Sequence, residues 1–197
     1  MIENRERFNR TLALFDAANA QDPNQDEGQP KELLYARRMS DMIARFAPEA
    51  SEASQLAVRA QHIRRWKVPR DSYPMTREGY HAWRTELYSF QAEAAGDLMR
   101  EAGYDNAMIE RVKKAVGKRG IKSNPDTQML EDVASLVFIE HYMLAFAQSK
   151  PEYDEAKWLE IIRKTWKKMS KRAQAFALSG QITLPEPLVP LITRAIS

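Results

Sequence analysis

Apolar residues recur at steps of three and four along most of the chain, the spacing that places side chains on one face of an α-helix. Phe8, Leu12 and Phe15 form the first such series. No stretch of strand length alternates β-branched and polar residues, so the pattern predicts an all-α fold with no sheet. It predicts a single domain, residues 1–197, arranged as an orthogonal bundle of about seven or eight helices. The predicted helices cover about residues 2–20, 30–48, 51–66, 76–102, 105–117, a segment from 123, 154–178 and a segment from 185.

Two local features stand out along this helical pattern, a proline-containing segment and a strong signal for the start of a helix. Pro69 and Pro74 fall in residues 67–75, and because proline lacks a backbone donor this segment is predicted to be irregular. Side chains that contact ligands are expected near it, since loops on a rigid scaffold often carry them. The helix that begins near Pro125 is apolar nearly all round from Val133 onward, which is typical of a central, buried helix.

Composition and charge restrict the class of protein. The 197 residues are 44% hydrophobic and 29% charged, as in ordinary globular chains, and the formal net charge is +3. There is no cysteine, so disulfides, thiolate metal sites and cysteine nucleophiles are excluded. No window has the apolar run of a membrane span, and the N-terminus lacks an apolar signal core. The sequence therefore predicts a cytoplasmic protein that has no membrane partner.

Glu131 and Asp132 are the strongest polar anomaly, because they stand beyond the first turn of the most apolar helix. A carboxylate that enters a core must be paired, bound to a metal or protonated. The structural alternative is an ion pair with an arginine such as Arg64 or Arg65. The functional alternative is a divalent metal or a water molecule to be activated.

His62 stands just before the irregular segment, nearly opposite the apolar face of Leu56, Ala60 and Ile63. It lies either at the surface or beneath a second layer of structure. Basic residues are dense in three groups with aromatic residues nearby in sequence, which suits phosphate and nucleobases, although a solvated helix face is the simpler interpretation. These groups are Arg59, Arg64, Arg65, Lys67 and Arg70; Lys113, Lys114, Lys118, Arg119 and Lys122; and Arg163, Lys164, Lys167, Lys168, Lys171 and Arg172.

Several motifs in one order resemble a single family, the domain of unknown function 4202 family. They extend over about residues 15–178, so the resemblance covers most of the chain. The family supplies a grouping and no established activity. The motifs are residues 60–66 (AQHIRRW), 69–70 with 73–75 (PR and YPM), 79–80 with 83–84 (GY and WR), 130–133 (LEDV), 136–140 (LVFIE) and 164–170 (KTWKKMS).

A looser likeness in layout links the chain to the HD-domain phosphohydrolases, all-helical enzymes that bind a divalent metal and cleave phosphoesters. His62, Gln91 and Asp132 fall at a spacing similar to that of the metal ligands of those enzymes. The likeness implies a bound divalent metal, Mn, Fe or Mg, held by His62 and Asp132. Gln91 stands where those enzymes have a histidine, and glutamine is a poor ligand for Mn or Fe, so a weakened or empty site is the alternative.

The leading prediction is an HD-domain-like, metal-dependent phosphohydrolase that acts on a nucleotide-like phosphoester. In this prediction Glu131 orients or deprotonates water, while Arg65, Arg70 and Gln91 contact the phosphate-bearing substrate. The alternative is a non-catalytic helical protein that binds a nucleotide, an RNA or a protein partner, and glutamine at position 91 favours it. A third alternative is a structural or oligomerising domain; the sequence does not specify the oligomeric state.

Overall fold

The computed structural model describes residues 2–196, which are mostly helical with almost no sheet, so the all-α prediction is confirmed. Short 3₁₀ turns lie at Arg65–Lys67, Arg70–Ser72 and Glu186–Leu188. Within residues 2–196 no helix is long and apolar enough to cross a membrane. The helices are α1 (Arg5–Asn19), α2 (Lys31–Phe46), α3 (Glu52–Ala60), α4 (Arg77–Glu101), α5 (Asn106–Val116), α6 (Pro125–Val137), α7 (Met143–Gln148), α8 (Glu155–Lys168), α9 (Lys171–Leu178) and α10 (Val189–Ile196).

The described residues contain ten α-helices, more than the seven or eight that the sequence predicted. The predicted helix 154–178 is divided because Met169 is extended, with ψ 145°, and Ser170 starts a new helix by accepting a hydrogen bond from the backbone N–H of Ala173. A π-helical turn, Phe138–Tyr142, separates α6 from α7. Apolar periodicity does not report such interruptions, because the inward face continues across them.

The prediction that no sheet forms is wrong in one small respect. Strands β1 (Gln25–Asp26) and β2 (Gln29–Pro30) pair in antiparallel register. Glu27 and Gly28 connect them, both with positive φ, as a tight two-residue hairpin requires. Strands of two residues are too short to produce a pattern of alternation, which is why the sequence missed them.

The chain divides into two compact units, Met1–Leu130 (unit 1) and Glu131–Ser197 (unit 2), and the boundary falls within α6. The expectation of one domain over residues 1–197 stays a prediction. In unit 1, α1 packs against α2, α3 and α4, and α5 packs against α3 and α4. In unit 2, α8 packs against α10. The side chains that are fully buried in unit 1 include Phe15, Met39, Leu56, Met99 and Ile109.

Candidate functional site

The imidazole of His62 lies between a carboxylate and a guanidinium. Its Nδ1 is 3.0 Å from Oε2 of Glu32, and its Nε2 is 3.1 Å from a terminal nitrogen of Arg65. A guanidinium can only donate, so Nε2 accepts from Arg65 and Nδ1–H donates to Glu32. These partners select the neutral Nδ1–H tautomer. The ring also stacks on Tyr35, with centroids 3.9 Å apart and planes inclined by 13°.

The surroundings keep His62 neutral and Glu32 ionised. Burial lowers the pKa of His62 to about 4; Glu32 opposes this change, while the positive charges of Arg65 and Lys118 add to it. Burial acts to raise the pKa of Glu32, yet His62, Arg65 and Lys31 together leave that pKa below its usual value. A proton or a cation can therefore bind Nε2 of His62 only if the guanidinium of Arg65 moves away.

A left-handed turn after α3 carries Arg65 towards His62. Arg64 has φ 50° and ψ 31°, and its backbone N–H donates to Oδ1 of the fully buried Asn19 over 2.9 Å. The left-handed conformation costs a non-glycine residue about 1–2 kcal/mol. Strain of this kind persists where the surrounding structure imposes it, often at functional sites. Asn19 therefore helps to hold a strained backbone beside the His62 pair.

The guanidinium of Arg65 also lies over an aromatic ring that a second arginine shares. Its Cζ is 5.2 Å from the Trp83 centroid, and the Cζ of Arg70 is 6.0 Å from the same ring and 5.9 Å from Tyr80. Trp83 is buried and donates its indole N–H to the carbonyl of Val68 over 2.9 Å. Arginine is attracted to the face of an aromatic ring at such distances. The Trp83 ring, fixed by its hydrogen bond, therefore lies beside the guanidinium groups of both Arg65 and Arg70.

The series continues along α4. The Cζ of Arg84 is 5.9 Å from the Tyr80 centroid and 4.7 Å from the Tyr88 centroid. Residues four apart lie on one face of a helix, which places Tyr80, Arg84 and Tyr88 in a row. We name the resulting surface the arginine–aromatic ladder; its members are Arg65, Trp83, Arg70, Tyr80, Arg84 and Tyr88.

Two of the three ladder arginines lack an acidic partner. Within residues 2–196 no carboxylate lies within 4.0 Å of the guanidinium of Arg70 or Arg84. Arg70 is held instead by the backbone carbonyl of Tyr73, at 3.0 Å, in the segment that the sequence predicted to be irregular. Tyr80 remains 43% exposed, so one ring of the ladder is open to solvent. The surface combines accessible positive charge with an accessible aromatic face.

The carboxylates Glu131 and Asp132, in unit 2, are buried, and each has a polar partner there. Asp132 accepts hydrogen bonds from the backbone N–H and the hydroxyl of Ser170, over 2.7 Å and 2.6 Å. Ser170 in turn caps α9. Oε1 of Glu131 lies 3.7 Å from Nζ of Lys168. Asp132 therefore has a structural task at the start of a helix, which was not among the alternatives that the sequence suggested.

A family model described as a domain of unknown function (DUF4202) matches residues 9–192. The chain belongs to this family. The resemblance that the motifs indicated is confirmed, and the matched residues include both His62 and Asp132. No curated protein and no solved structure matches the chain.

The predicted site residues differ in their surroundings. Arg65 and Arg70, predicted to bind substrate, meet over Trp83. Gln91 is 1% exposed, and its side-chain nitrogen has no hydrogen-bond partner among the described residues. His62 belongs to unit 1 and Asp132 to unit 2. Among residues 2–196 no group of three or more His, Cys, Asp or Glu side chains is arranged to hold a metal; the metal and catalytic roles stay predictions.

Sequence reasoning missed Glu32. It lies in the first turn of α2 and is 5% exposed, on the same face as the buried residues Tyr35, Ala36 and Met39. An acidic residue three and four positions before inward-facing apolar residues is the signal that could have found it.

Proposed function

We propose that the protein binds a phosphate-bearing, nucleotide-like molecule on the arginine–aromatic ladder without hydrolysing it. The observation that carries this proposal is the alternation of Arg65, Arg70 and Arg84 with aromatic rings, together with the lack of acidic partners for Arg70 and Arg84 within residues 2–196. Arginine forms short, charge-assisted and often bidentate hydrogen bonds to phosphate. Aromatic faces such as that of Tyr80 stack on nucleobases.

The same surroundings favour binding over catalysis. The Nε2 atom of His62 is occupied by Arg65, and both oxygens of Asp132 accept hydrogen bonds from Ser170. A metal at either residue would have to displace these partners. A phosphate, by contrast, only needs the exposed edges of guanidinium groups whose positions the rings already set.

A metal-dependent phosphohydrolase resembling the HD-domain enzymes is the second candidate, and one observation favours it. The buried carboxylate of Glu32 orients the imidazole of His62, as a carboxylate does for a metal-bound or proton-accepting histidine. In that candidate Mn, Fe or Mg is held by His62 and Asp132, and Glu131 acts on water. Arg65 would turn from His62 to the substrate phosphate.

Calorimetric titration with AMP and ATP tests the proposal. The substitution Arg84→Gln should weaken binding about tenfold or more, because a charge-assisted hydrogen bond contributes about 1.5–3 kcal/mol. The matched control is Arg100→Gln, which removes an exposed arginine from the same helix, where it pairs with Asp97 at 2.9 Å. Equal loss in both variants, or no binding by the unsubstituted protein, contradicts the proposal.

Phosphate release decides between the two candidates. The binding proposal expects AMP and ATP to remain intact with added Mn²⁺, Fe²⁺ or Mg²⁺. Metal-dependent release that His62→Gln abolishes would replace it with the hydrolase candidate, and metal found in stoichiometric amount in protein purified without chelator would point the same way.

A further inference from the structure

A cleft of about 310 Å³ lies between α4, α5 and the turn that follows α5. Its wall includes Tyr88, the last ring of the arginine–aromatic ladder, and three cations, Lys113, Lys114 and Arg119. Small-molecule sites usually have volumes of about 300–1,000 Å³, so the cleft has room for part of a nucleotide. It lies wholly within unit 1.

A glycine allows the two helices that form the cleft to approach closely. A Cβ atom at Gly96 would lie 2.9 Å from Cδ of Lys113 and 3.3 Å from Cγ2 of Ile109, closer than atoms normally pack. The Lys113 stem therefore lies directly against α4. Its ammonium group reaches Glu93 of α4 at 2.9 Å and Glu110 of α5 at 3.0 Å, and these hydrogen bonds raise its pKa.

This bridge determines which charges of the cleft are available. Lys113 holds both acidic residues of the lining, Glu93 and Glu110. Lys114 and Arg119 are exposed, and within residues 2–196 neither has a carboxylate within 4.0 Å. The carboxylates are therefore neutralised in part by a cation of their own, and two further cations face the cleft.

The backbone that carries Arg119 is fixed on both sides. Its N–H donates to the carbonyl of Lys114 over 3.0 Å, and its carbonyl accepts from the hydroxyl of Thr127 over 2.8 Å. Left-handed residues flank it, Lys118 with φ 56° and Gly120 with φ 73°. Because this turn is tied down, the backbone positions of Lys114 and Arg119 at the cleft are set before any ligand binds, which reduces the entropy lost on binding.

We propose that this cleft holds the phosphate end of a mononucleotide, with Lys114 and Arg119 as the anion contacts and Tyr88 as the wall against its sugar or base. The inference rests on the proposed function and names the place of the phosphate within it. Tyr88 connects the two surfaces, because Arg84 of the ladder lies over the ring that lines the cleft. Lys114 and Arg119 are positively charged and a phosphate is negatively charged, so the cleft should bind a mononucleotide more tightly than a neutral nucleoside.

Calorimetric titrations with AMP, adenosine and inorganic phosphate test the inference on the full chain. Lys114→Gln and Arg119→Gln should each weaken AMP binding about tenfold, as expected for the loss of one charge-assisted contact. Adenosine should bind at least tenfold more weakly than AMP to the unsubstituted protein. The matched control is Lys122→Gln, which removes an exposed lysine from the same turn that does not line the cleft and should change affinity less than twofold.

The outcomes separate the cleft from the ladder. If Arg84→Gln weakens AMP binding while Lys114→Gln and Arg119→Gln do not, the cleft inference is wrong and the proposed function stands. If adenosine binds as tightly as AMP, the phosphate contacts are wrong. If the unsubstituted protein binds no mononucleotide, or binds only a single-stranded oligonucleotide, both proposals fail. Equal thermal melts of all variants confirm that the substitutions act on binding.

Discussion

Glu32 of unit 1 and Asp132 of unit 2 are both buried carboxylates, but their hydrogen-bond partners are of different kinds. Glu32 in unit 1 is 5% exposed and holds the titratable ring of His62 beside Arg65. Asp132 in unit 2 is 3% exposed and accepts from the backbone and hydroxyl of Ser170. The backbone N–H cannot titrate and the hydroxyl does not do so at ordinary pH, so these two hydrogen bonds fix where a helix begins. A buried carboxylate alone therefore does not identify a functional site; the chemistry of its partners does.

The largest effect that tests this comparison is expected from Asp132→Ala. The backbone N–H and the hydroxyl of the half-buried Ser170 would lose the charged acceptor of the buried Asp132, which should lower the free energy of unfolding by about 3 kcal/mol. Urea denaturation measures it. Asp154→Ala is the matched control, since Asp154 is exposed and caps helix α8 through the backbone N–H of Lys157, so its loss should cost about 1 kcal/mol.

Urea denaturation with added Mn²⁺ or Mg²⁺ tests whether Asp132 differs from Glu32 in having a purely structural role. If its role is structural, Asp132→Ala should lower the free energy of unfolding by the same amount with and without metal. If metal stabilises the unsubstituted protein and Asp132→Ala removes that stabilisation, Asp132 binds a cation, because a ligand of the folded state raises stability by mass action.

The next effect is a dependence of stability on pH that comes from unit 1. His62 has a pKa of about 4 when folded against 6.5 for the free side chain, so between these values the unfolded state binds more protons. The free energy of unfolding should therefore fall as the pH falls from 6.5 to 4. The full pKa difference corresponds to about 3 kcal/mol, and solvent at the partly exposed ring reduces the expected loss to about 2 kcal/mol. Glu32, whose pKa is lowered, adds a loss below pH 4.5.

Denaturation of His62→Gln across this range checks the assignment. The variant should lose most of the slope between pH 6.5 and 4, the window of the His62 titration. The matched control, His81→Gln, replaces an exposed histidine of α4 and should keep the slope of the unsubstituted protein. An unchanged slope in His62→Gln would remove the distinction between the two regions.

The smallest effect concerns the strained turn beside His62. Arg64→Gly should raise the free energy of unfolding by roughly 0.5–1 kcal/mol, because glycine adopts a positive φ without strain. Arg10→Gly, in the interior of α1, should lower it by roughly 0.5–1 kcal/mol as an ordinary helical position does. Thermal melts compare the two. Destabilisation by both substitutions would show that the turn stores no strain.

The sequence predicted several features of the candidate site. Residue patterns pointed to the irregular segment before α4, to Arg65 and Arg70 as arginines predicted to bind phosphate, and to the unusual position of His62. The structure brings Arg65 beside both His62 and Trp83. The sequence did not predict the pairing of His62 with Glu32, which is 30 positions away. Periodicity reports which face of a helix points inward and does not report which inward faces meet.

The amino-acid sequence by itself determined the all-α class, most helix starts and the family, because capping residues, prolines and the 3.6-residue repeat act over a few neighbouring positions. Only the tertiary structure decided the use of each buried carboxylate. The packing of α2 against α3 brings Glu32 to His62, and the break between α8 and α9 brings Ser170 to Asp132, 38 positions apart. Burial makes an unpaired charge too costly to keep, so each carboxylate takes the partner that its packing supplies.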